Sequence, residues 1–139
     1  MTVSHLVRDA MLTRPRTHPR DLSVAQARAV LSDSHVRLLL LVDGSRLLGA
    51  LDRDDLDDAP ADAGERPALP LAGLSGRTVR ADAPLDAVRR SMQAAGRRRL
   101  AVLDAEDRLV GLLCLKASAT GFCSDAGVAA RAQERLSRG

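Results

Sequence analysis

The sequence predicts an α/β (α+β) fold in which one β-α-β-β-α unit occurs twice and the two copies pack as a pseudo-twofold pair. The first observation is a hairpin pattern: apolar runs over 38–42 and 47–51 flank the polar turn Asp43-Gly44-Ser45-Arg46. Such runs are typical of two buried strands joined by a tight turn. The second observation is that the pattern returns at 97–115, RRRLAVLDAEDRLVGLLCL. A hairpin that recurs in so short a chain indicates duplication.

The first repeat, with its N-terminal helix, is predicted to span 1–58. Residues 4–11 can form a short helix, and the prolines at 15 and 19 favour extended backbone between them. Ser23 is the predicted N-cap of a helix that runs to about residue 34. The hairpin comes next, and another short helix starts at about Arg53.

The second repeat is predicted to span 71–122, after an acidic Pro/Ala-rich linker over 59–70. The linker lacks apolar periodicity, so we expect it to be solvated. A last helix is predicted over 123–139. The elements of the second repeat are an extended segment at 78–80, a helix from about 84 to 95 that ends at Gly96, and strands at 100–103 and 109–113.

Shifting the first repeat by 61 positions places it on the second, and one extra turn residue changes the shift to 62 thereafter. A single unit would leave an apolar sheet face in water, whereas two units packed sheet to sheet bury it. The matched residues include Arg16 with Arg77, Thr17 with Thr78, Asp43 with Asp104 and Gly49 with Gly111.

Composition narrows the function classes. The 139 residues suffice for one domain or for two small units sharing a core. There is no Trp or Tyr and only one Phe, so the core is aliphatic and the stacking platforms of single-strand nucleic-acid proteins are missing. The net charge of +3 is modest, and it does not by itself predict a nucleic-acid partner.

The two cysteines, Cys114 and Cys123, form neither a C-x-x-C pair nor part of a metal-ligand pattern. We therefore predict reduced, mostly buried thiols and no metal site. The first twelve residues lack the apolar stretch of a secretory signal, and no run approaches the roughly 20 apolar residues that span a bilayer. A cytoplasmic location is expected.

Each unit resembles a CBS domain (a cystathionine-β-synthase motif), and the pair resembles a Bateman module, over about residues 7–118. The resemblance implies a regulatory module rather than an enzyme, a homodimer, and a separate effector protein. It also implies an adenosine-containing ligand, such as AMP, ATP or S-adenosylmethionine, between the two units, without any other cofactor. The matching segments are MLTRPRTHPRDLSVAQA and VRLLLLVDGSRLLGALDRDDL in the first unit, and RTVRADAPLDAVRRSM and GRRRLAVLDAEDRLVGLLCL in the second.

The family's ligand signature, G-x-x-[ST]-x-x-D, is altered in both units. By resemblance its hydroxyl holds a phosphate at a helix N-terminus, and its carboxylate accepts the ribose hydroxyls. The first unit keeps the ribose carboxylate as Asp55 but has Asp52 in place of the hydroxyl, and its basic pair is reduced to Arg37. Repulsion between Asp52 and a phosphate would weaken binding about tenfold or more.

The second unit has Cys114 for the hydroxyl and Ala117 for the carboxylate, although its basic pair, Arg98 and Arg99, is intact. Three interpretations stay open: an adenosine compound without phosphate, or the cationic S-adenosylmethionine, on Asp55; an anion on the basic pair; or no ligand, with the pair acting as a dimerising scaffold. By resemblance the extended segments also line the clefts, through Thr17, His18, Thr78 and Val79.

Other residues that could carry a binding or catalytic function have simpler explanations. The run 97–99 and the C-terminal arginines could contact nucleic acid, but short basic runs are usually solvated surface. His18 could stack on a base or be structural. The acidic cluster over 52–58 lacks the spacing of a calcium loop. The segment 73–76 is not a nucleophile elbow, so no catalytic residue is predicted.

Overall fold

Two three-stranded sheets of the same order form the framework of the computed structural model, which describes residues 5–13, 15–33, 36, 38–116 and 122. In each sheet the first strand pairs parallel with the second, and the second pairs antiparallel with the third. The predicted α+β fold with duplicated units is confirmed. The strands are β1 (Thr17–Pro19), β2 (Leu39–Asp43) and β3 (Arg46–Leu51), then β4 (Thr78–Arg80), β5 (Arg99–Leu103) and β6 (Leu109–Cys114).

The duplication extends to local irregularities. The register shifts between Leu41 and Val42 in the first hairpin, and at the repeat-equivalent step from Val102 to Leu103 in the second. Arg46 forms a bridge with its own repeat equivalent, Arg108. A residue that pairs with its own equivalent lies on the symmetry axis that relates the copies, so this bridge marks the pseudo-twofold axis.

Three α-helices are described: α1 (Val24–Leu31), α2 (Arg53–Asp57) and α3 (Leu85–Ala95). Ser23 caps α1 as predicted, because its Oγ accepts the Gln26 N–H at 3.1 Å and the Gln26 side chain accepts the Ser23 N–H at 2.9 Å. The helix ends at Leu31 rather than near residue 34. Its C-terminal carbonyls are satisfied by Arg53, which donates to Leu31 O and Asp33 O.

The predicted N-terminal helix is only a 3-10 turn, Val7–Asp9. Its backbone is recruited by the second unit instead: Val7 N donates to Ala83 O, and Arg8 N donates to Ala81 O. Further along, Leu12 exchanges a pair of backbone hydrogen bonds with Leu112. The first turn of a helix over 4–11 would leave the Val7 N–H without an intrahelical acceptor, and here carbonyls of the second unit accept this N–H and that of Arg8. Docking on the second unit takes the place of further helical turns. Residues 1–4 lie outside the described residues.

The first unit makes the repeat-equivalent backbone contact with the segment that precedes β4. Gly73, the equivalent of Leu12, exchanges backbone hydrogen bonds with Ala50, the equivalent of Leu112. Each unit is therefore completed by the segment that precedes the other unit's first strand. The close approach explains Gly111, since a Cβ there would lie 2.7 Å from Leu12 O.

The linker is not solvated throughout, and that expectation is corrected. Its carbonyls accept hydrogen bonds from the first turn of α1: Val24 N donates to Arg66 O, and Ala25 N donates to Gly64 O. Ala63 and Ala68 are buried. The free N–H groups at the start of α1 attract these carbonyls, and no hydrophobic periodicity is needed for such packing. The repeat boundaries themselves stay a prediction.

Three aliphatic clusters fill the interior. One lies within each unit, and the cluster of the second unit includes Val7 from the N-terminal segment. The third lies between the two sheets and holds the units together. It consists of Leu40, Leu47, Ala50 and Ala101, with Leu38, Val42, Leu103, Leu109 and Leu112 at its margin.

Cys114 is buried in β6 and is disulfide-bonded, so the prediction of a reduced thiol is wrong for this residue. A pairing that is set by tertiary structure has no C-x-x-C signal in the sequence. Cys123 and the predicted helix over 123–139 lie outside the described residues. Among the helices of the described ranges, none is long and apolar enough to cross a membrane.

Candidate functional site

Asp52 and Asp55 form a rigid corner where β3 ends and α2 begins. The Asp52 carboxylate accepts the Asp55 N–H at 3.0 Å, and the Asp55 carboxylate accepts the Asp52 N–H at 2.9 Å. Asp is a favoured N-cap residue, and an acidic side chain three positions later completes a reciprocal capping box. The local sequence therefore fixes both carboxylates, and they face out of the first unit.

The second unit supplies the counter-ion. Arg77, the residue directly before β4, donates to both carboxylate oxygens of Asp55, with Nη1–Oδ2 at 2.5 Å and Nη2–Oδ1 at 3.0 Å. The same guanidinium reaches Asp52 Oδ2 at 3.3 Å and Ala50 O at 2.5 Å. Only 13% of the Arg77 side chain is exposed, against 20% for Asp55 and 29% for Asp52. One arginine thus bridges the two units across the predicted ribose position.

This bridge fixes the charge of the site. Burial alone would raise the pKa of Asp55, but the hydrogen bonds from Arg77 and from the Asp52 N–H lower that pKa below its ordinary value. The hydrogen bond to Asp55 likewise raises the pKa of Arg77. Two carboxylates share one guanidinium, so this corner keeps an excess of negative charge.

The lowered pKa of Asp55 predicts a pH dependence of stability. The charged carboxylate stabilises the fold above its ordinary pKa of about 4, and this contribution is lost as the pH falls through the lower folded-state pKa. Urea unfolding between pH 7 and pH 3 should therefore show a steeper loss of stability for wild type than for Asp55→Asn. The pKa of Asp104 is also lowered, but Asp104 is present in both proteins, so the difference isolates Asp55. Parallel curves would contradict the assignment.

The basic run of the second unit lies at the same sheet edge as Arg77. Strands β4 and β5 are parallel with Thr78 opposite Ala101, so the residues that precede both strands emerge together. Accordingly, the Arg97 guanidinium lies 3.5 Å from the position of a Cβ on Gly76. The sequence had assigned Asp55 and the basic pair to separate clefts. In the structure the basic run lies instead beside the segment that leads into β4, and Arg77 in that segment binds Asp55.

Sequence reasoning missed Arg77, which it used only as the repeat equivalent of Arg16. The available signal was its position directly before Thr78, in the segment expected to line the cleft. Thr78 and Val79 follow it in β4 and are both half-buried. A second signal was the excess of carboxylates over 52–58, because partly buried carboxylates need a cation.

Comparison with known proteins identifies the fold. Residues 77–117 match the family model described as CBS domain. The second unit matches the CBS-domain family. The first unit repeats its strand order and register irregularity. Since a solved CBS-domain pair also superposes on 96% of the chain, the chain has the fold of a CBS-domain pair.

Three solved structures illustrate this likeness. AcuB of Vibrio cholerae, described as an acetoin utilization protein, is 24% identical with a TM-score of 0.69, over 97% of this chain and 95% of that protein. The CBS pair of protein MJ0100, in complex with 5′-methylthioadenosine and S-adenosyl-L-methionine, is 20% identical with a TM-score of 0.64, over 96% and 99%. CBSX2 in complex with AMP is 24% identical with a TM-score of 0.65, over 94% and 98%. No curated protein sequence matches the chain.

The remaining predicted ligand-binding residues are only partly described, because Arg37 and Ala117 lie outside the described residues. Of the others, Thr17 is exposed and His18 is half-buried in β1. Burial lowers the pKa of His18, and the positive charge of Arg16 lowers it further, so His18 is neutral at pH 7. Cys114, engaged in its disulfide, offers no thiol hydrogen at the hydroxyl position.

The basic pair is tied to the backbone of its own unit. The Arg98 side chain donates to Leu115 O at 3.4 Å, and the Arg99 side chain donates to Arg98 O at 3.1 Å. Both residues are half-buried, as is Arg97. This run is therefore not the freely solvated patch that non-specific phosphate binding to nucleic acid uses. The C-terminal arginines lie outside the described residues.

The acidic segment gives no metal centre in the part of the chain that the structure describes, where no group of three His, Cys, Asp or Glu side chains converges. Two surface depressions border α1, and Asp55 lines neither of them. One, of about 500 Å³, is lined by Arg28, Arg53, Leu56 and their neighbours. The corner at Asp55 is filled by the Arg77 side chain.

Proposed function

We propose that this CBS pair is a regulatory module, without catalytic activity of its own, that binds an adenosine-containing ligand between its two units. Asp55 accepts the ribose hydroxyls, and the start of β4, with Thr78 and Val79, contacts the nucleoside. The support is the carboxylate of Asp55, held by a capping box at the junction of both units. Two fixed acceptor oxygens suit a vicinal diol.

The solved CBS pairs support the ligand class. Structures with this fold hold AMP in CBSX2 and in PAE2072 from Pyrobaculum aerophilum, and 5′-methylthioadenosine with S-adenosyl-L-methionine in MJ0100. For this chain we propose AMP, ATP or S-adenosylmethionine as candidates, a homodimer as the working assembly, and a separate effector protein. A ligand can regulate that effector only if it binds two states of the pair differently.

A ligand screen by thermal shift tests the proposal. AMP, ATP, S-adenosylmethionine and NAD are each added at millimolar concentration, with guanosine monophosphate as the matched control for the base. A ligand present at one hundred times its Kd stabilises the folded state by about 2.7 kcal/mol, which shifts Tm by several degrees in a chain of this size. At least one adenosine compound should raise Tm while guanosine monophosphate does not. No shift with any adenosine compound would contradict the proposal.

One observation favours a second candidate, a ligand-free dimerising scaffold. Both oxygens of Asp55 are already engaged by Arg77, so the predicted ribose acceptor is satisfied without any ligand. The scaffold predicts a dimer in sedimentation velocity whose dissociation constant is unchanged by every compound in the screen. The ligand-binding proposal predicts a shift in Tm with at least one of them.

A further inference from the structure

Arg77 occupies both oxygens of the carboxylate that the proposed function gives to ribose. We infer that Arg77 competes with the ligand's ribose for Asp55, and that it thereby selects ligands whose own anionic group can take over its guanidinium. The inference rests on the proposed function, because it concerns the same site. It adds a specificity: adenosine phosphates are preferred to neutral adenosine compounds.

The competition follows from the hydrogen bonds. The two Nη atoms of Arg77 make four contacts: two with Asp55, one with Asp52 and one with Ala50 O. A carboxylate has about four lone-pair sites, and Arg77 takes two of those on Asp55 while the Asp52 N–H takes a third. Asp55 can therefore accept both ribose hydroxyls together only when the guanidinium withdraws. A guanidinium that is 13% exposed then loses its bidentate partner, and an incompletely paired charge in a part-buried position is unfavourable. A neutral nucleoside offers nothing in exchange.

A phosphate group on the ligand can replace Asp55 as the partner of the Arg77 guanidinium. Arg77 already extends past Asp55 to Asp52, the residue at the position where the family resemblance puts the phosphate-binding hydroxyl. Arginine pairs with phosphate in the same bidentate way as with carboxylate. The guanidinium can therefore pass from Asp55 to the ligand phosphate with its hydrogen bonds conserved, and it offsets the repulsion from Asp52. Arg77 therefore reverses the preference for ligands without a phosphate that Asp52 alone implies.

The exchange of partners by Arg77 also couples ligand binding to the contact between the two units. In the ligand-free state the bridge joins Arg77 of the second unit to Asp55 of the first. With a nucleotide bound, the two side chains are joined through the ligand instead. Ligand binding thus replaces a direct contact between the units by a ligand-dependent one, which is the differential interaction that a two-state sensor requires.

Calorimetric titration of adenosine and AMP into wild type and Arg77→Met tests the inference. Methionine keeps much of the side-chain length but frees Asp55, so we expect adenosine to bind the variant about tenfold more tightly than wild type. The preference for AMP over adenosine, present in wild type, should disappear. The matched control is Arg80→Met at the end of β4, where the Arg80–Asp107 pair is exposed; its affinities should equal those of wild type.

The outcomes separate this inference from the proposed function. If wild type binds either compound and Arg77→Met binds adenosine no more tightly, or retains the wild-type preference for AMP, the competition is refuted and the proposed function stands. If the variant alone binds adenosine, the competition is supported. If neither protein binds either compound, the inferred preference for adenosine phosphates is refuted, and the proposed function is overturned as well only if ATP, S-adenosylmethionine and NAD also give no thermal shift. Should Arg77→Met fail to fold, as judged by circular dichroism, Arg77→Gln serves in its place with the same expected results.

Discussion

Replacing Asp55 by Asn is expected to abolish the adenosine-dependent thermal shift. The charged carboxylate would accept two ribose hydroxyls, and each hydrogen bond to a charged group contributes about 1.5–3 kcal/mol. Losing the charge and one acceptor should therefore weaken binding about a hundredfold or more, beyond the range of a millimolar screen. The measurement is Tm with and without the ligand that shifts wild type, followed by calorimetric titration.

Asp54→Asn is the matched control for this prediction. Asp54 lies next to Asp55 on α2 and is exposed, and it acts on Arg77 only through its charge. Its replacement should leave the ligand-induced shift within about 1 °C of wild type, since an exposed charge contributes little. A full shift retained by Asp55→Asn would remove Asp55 from the site.

Truncating Leu40 to Ala should give the largest loss of stability. Leu40 is 1% exposed in the cluster between the two sheets, where its side chain meets residues of both units. Removing a buried leucine side chain leaves a cavity and typically lowers the free energy of unfolding by roughly 3–5 kcal/mol. Urea unfolding followed by circular dichroism measures the change.

The control for Leu40 is Leu74→Ala, because Leu74 is the large apolar side chain that is exposed, at 38%. Its truncation should change the free energy of unfolding by no more than about 0.5 kcal/mol. A loss below about 1 kcal/mol for Leu40→Ala would mean that the interface between the sheets is not a packed core.

The sequence predicted the hairpins because their signal is local. The runs 38–42 and 47–51 and their copies combine apolar strands with polar turns, and the second copy confirms the first. The capping of α1 by Ser23 was predicted for the same reason, since the cap and its partner are three residues apart. Asp52 and Asp55 were singled out by the resemblance to the family's ligand signature, whose positions also fall within seven residues.

What the sequence did not predict depends on contacts between distant segments. Residues 4–11 pattern as a helix, yet the N–H groups of Val7 and Arg8 bind carbonyls near residue 80. The repeat alignment shows which residues are equivalent but not which ones face each other. Arg77 was therefore matched to Arg16, whereas in the folded chain it pairs with Asp55 of the other unit. The role of this arginine emerges only when the units are packed.

The bulges in both hairpins had a local signal that the hairpin pattern did not use. The shifts at Leu41 and at Val102 sit at equivalent positions, and each partner strand carries its extra residue beside a glycine, Gly49 or Gly111. An isolated glycine inside a strand pattern indicates a bulge or a close backbone approach.

The most direct test of the account is the crystal structure of the chain with AMP. We expect difference density for the nucleotide between the two units, with the ribose hydroxyls on the Asp55 carboxylate and the Arg77 guanidinium moved to the phosphate. Density for AMP elsewhere, or AMP bound with the Arg77–Asp55 bridge intact, would contradict it.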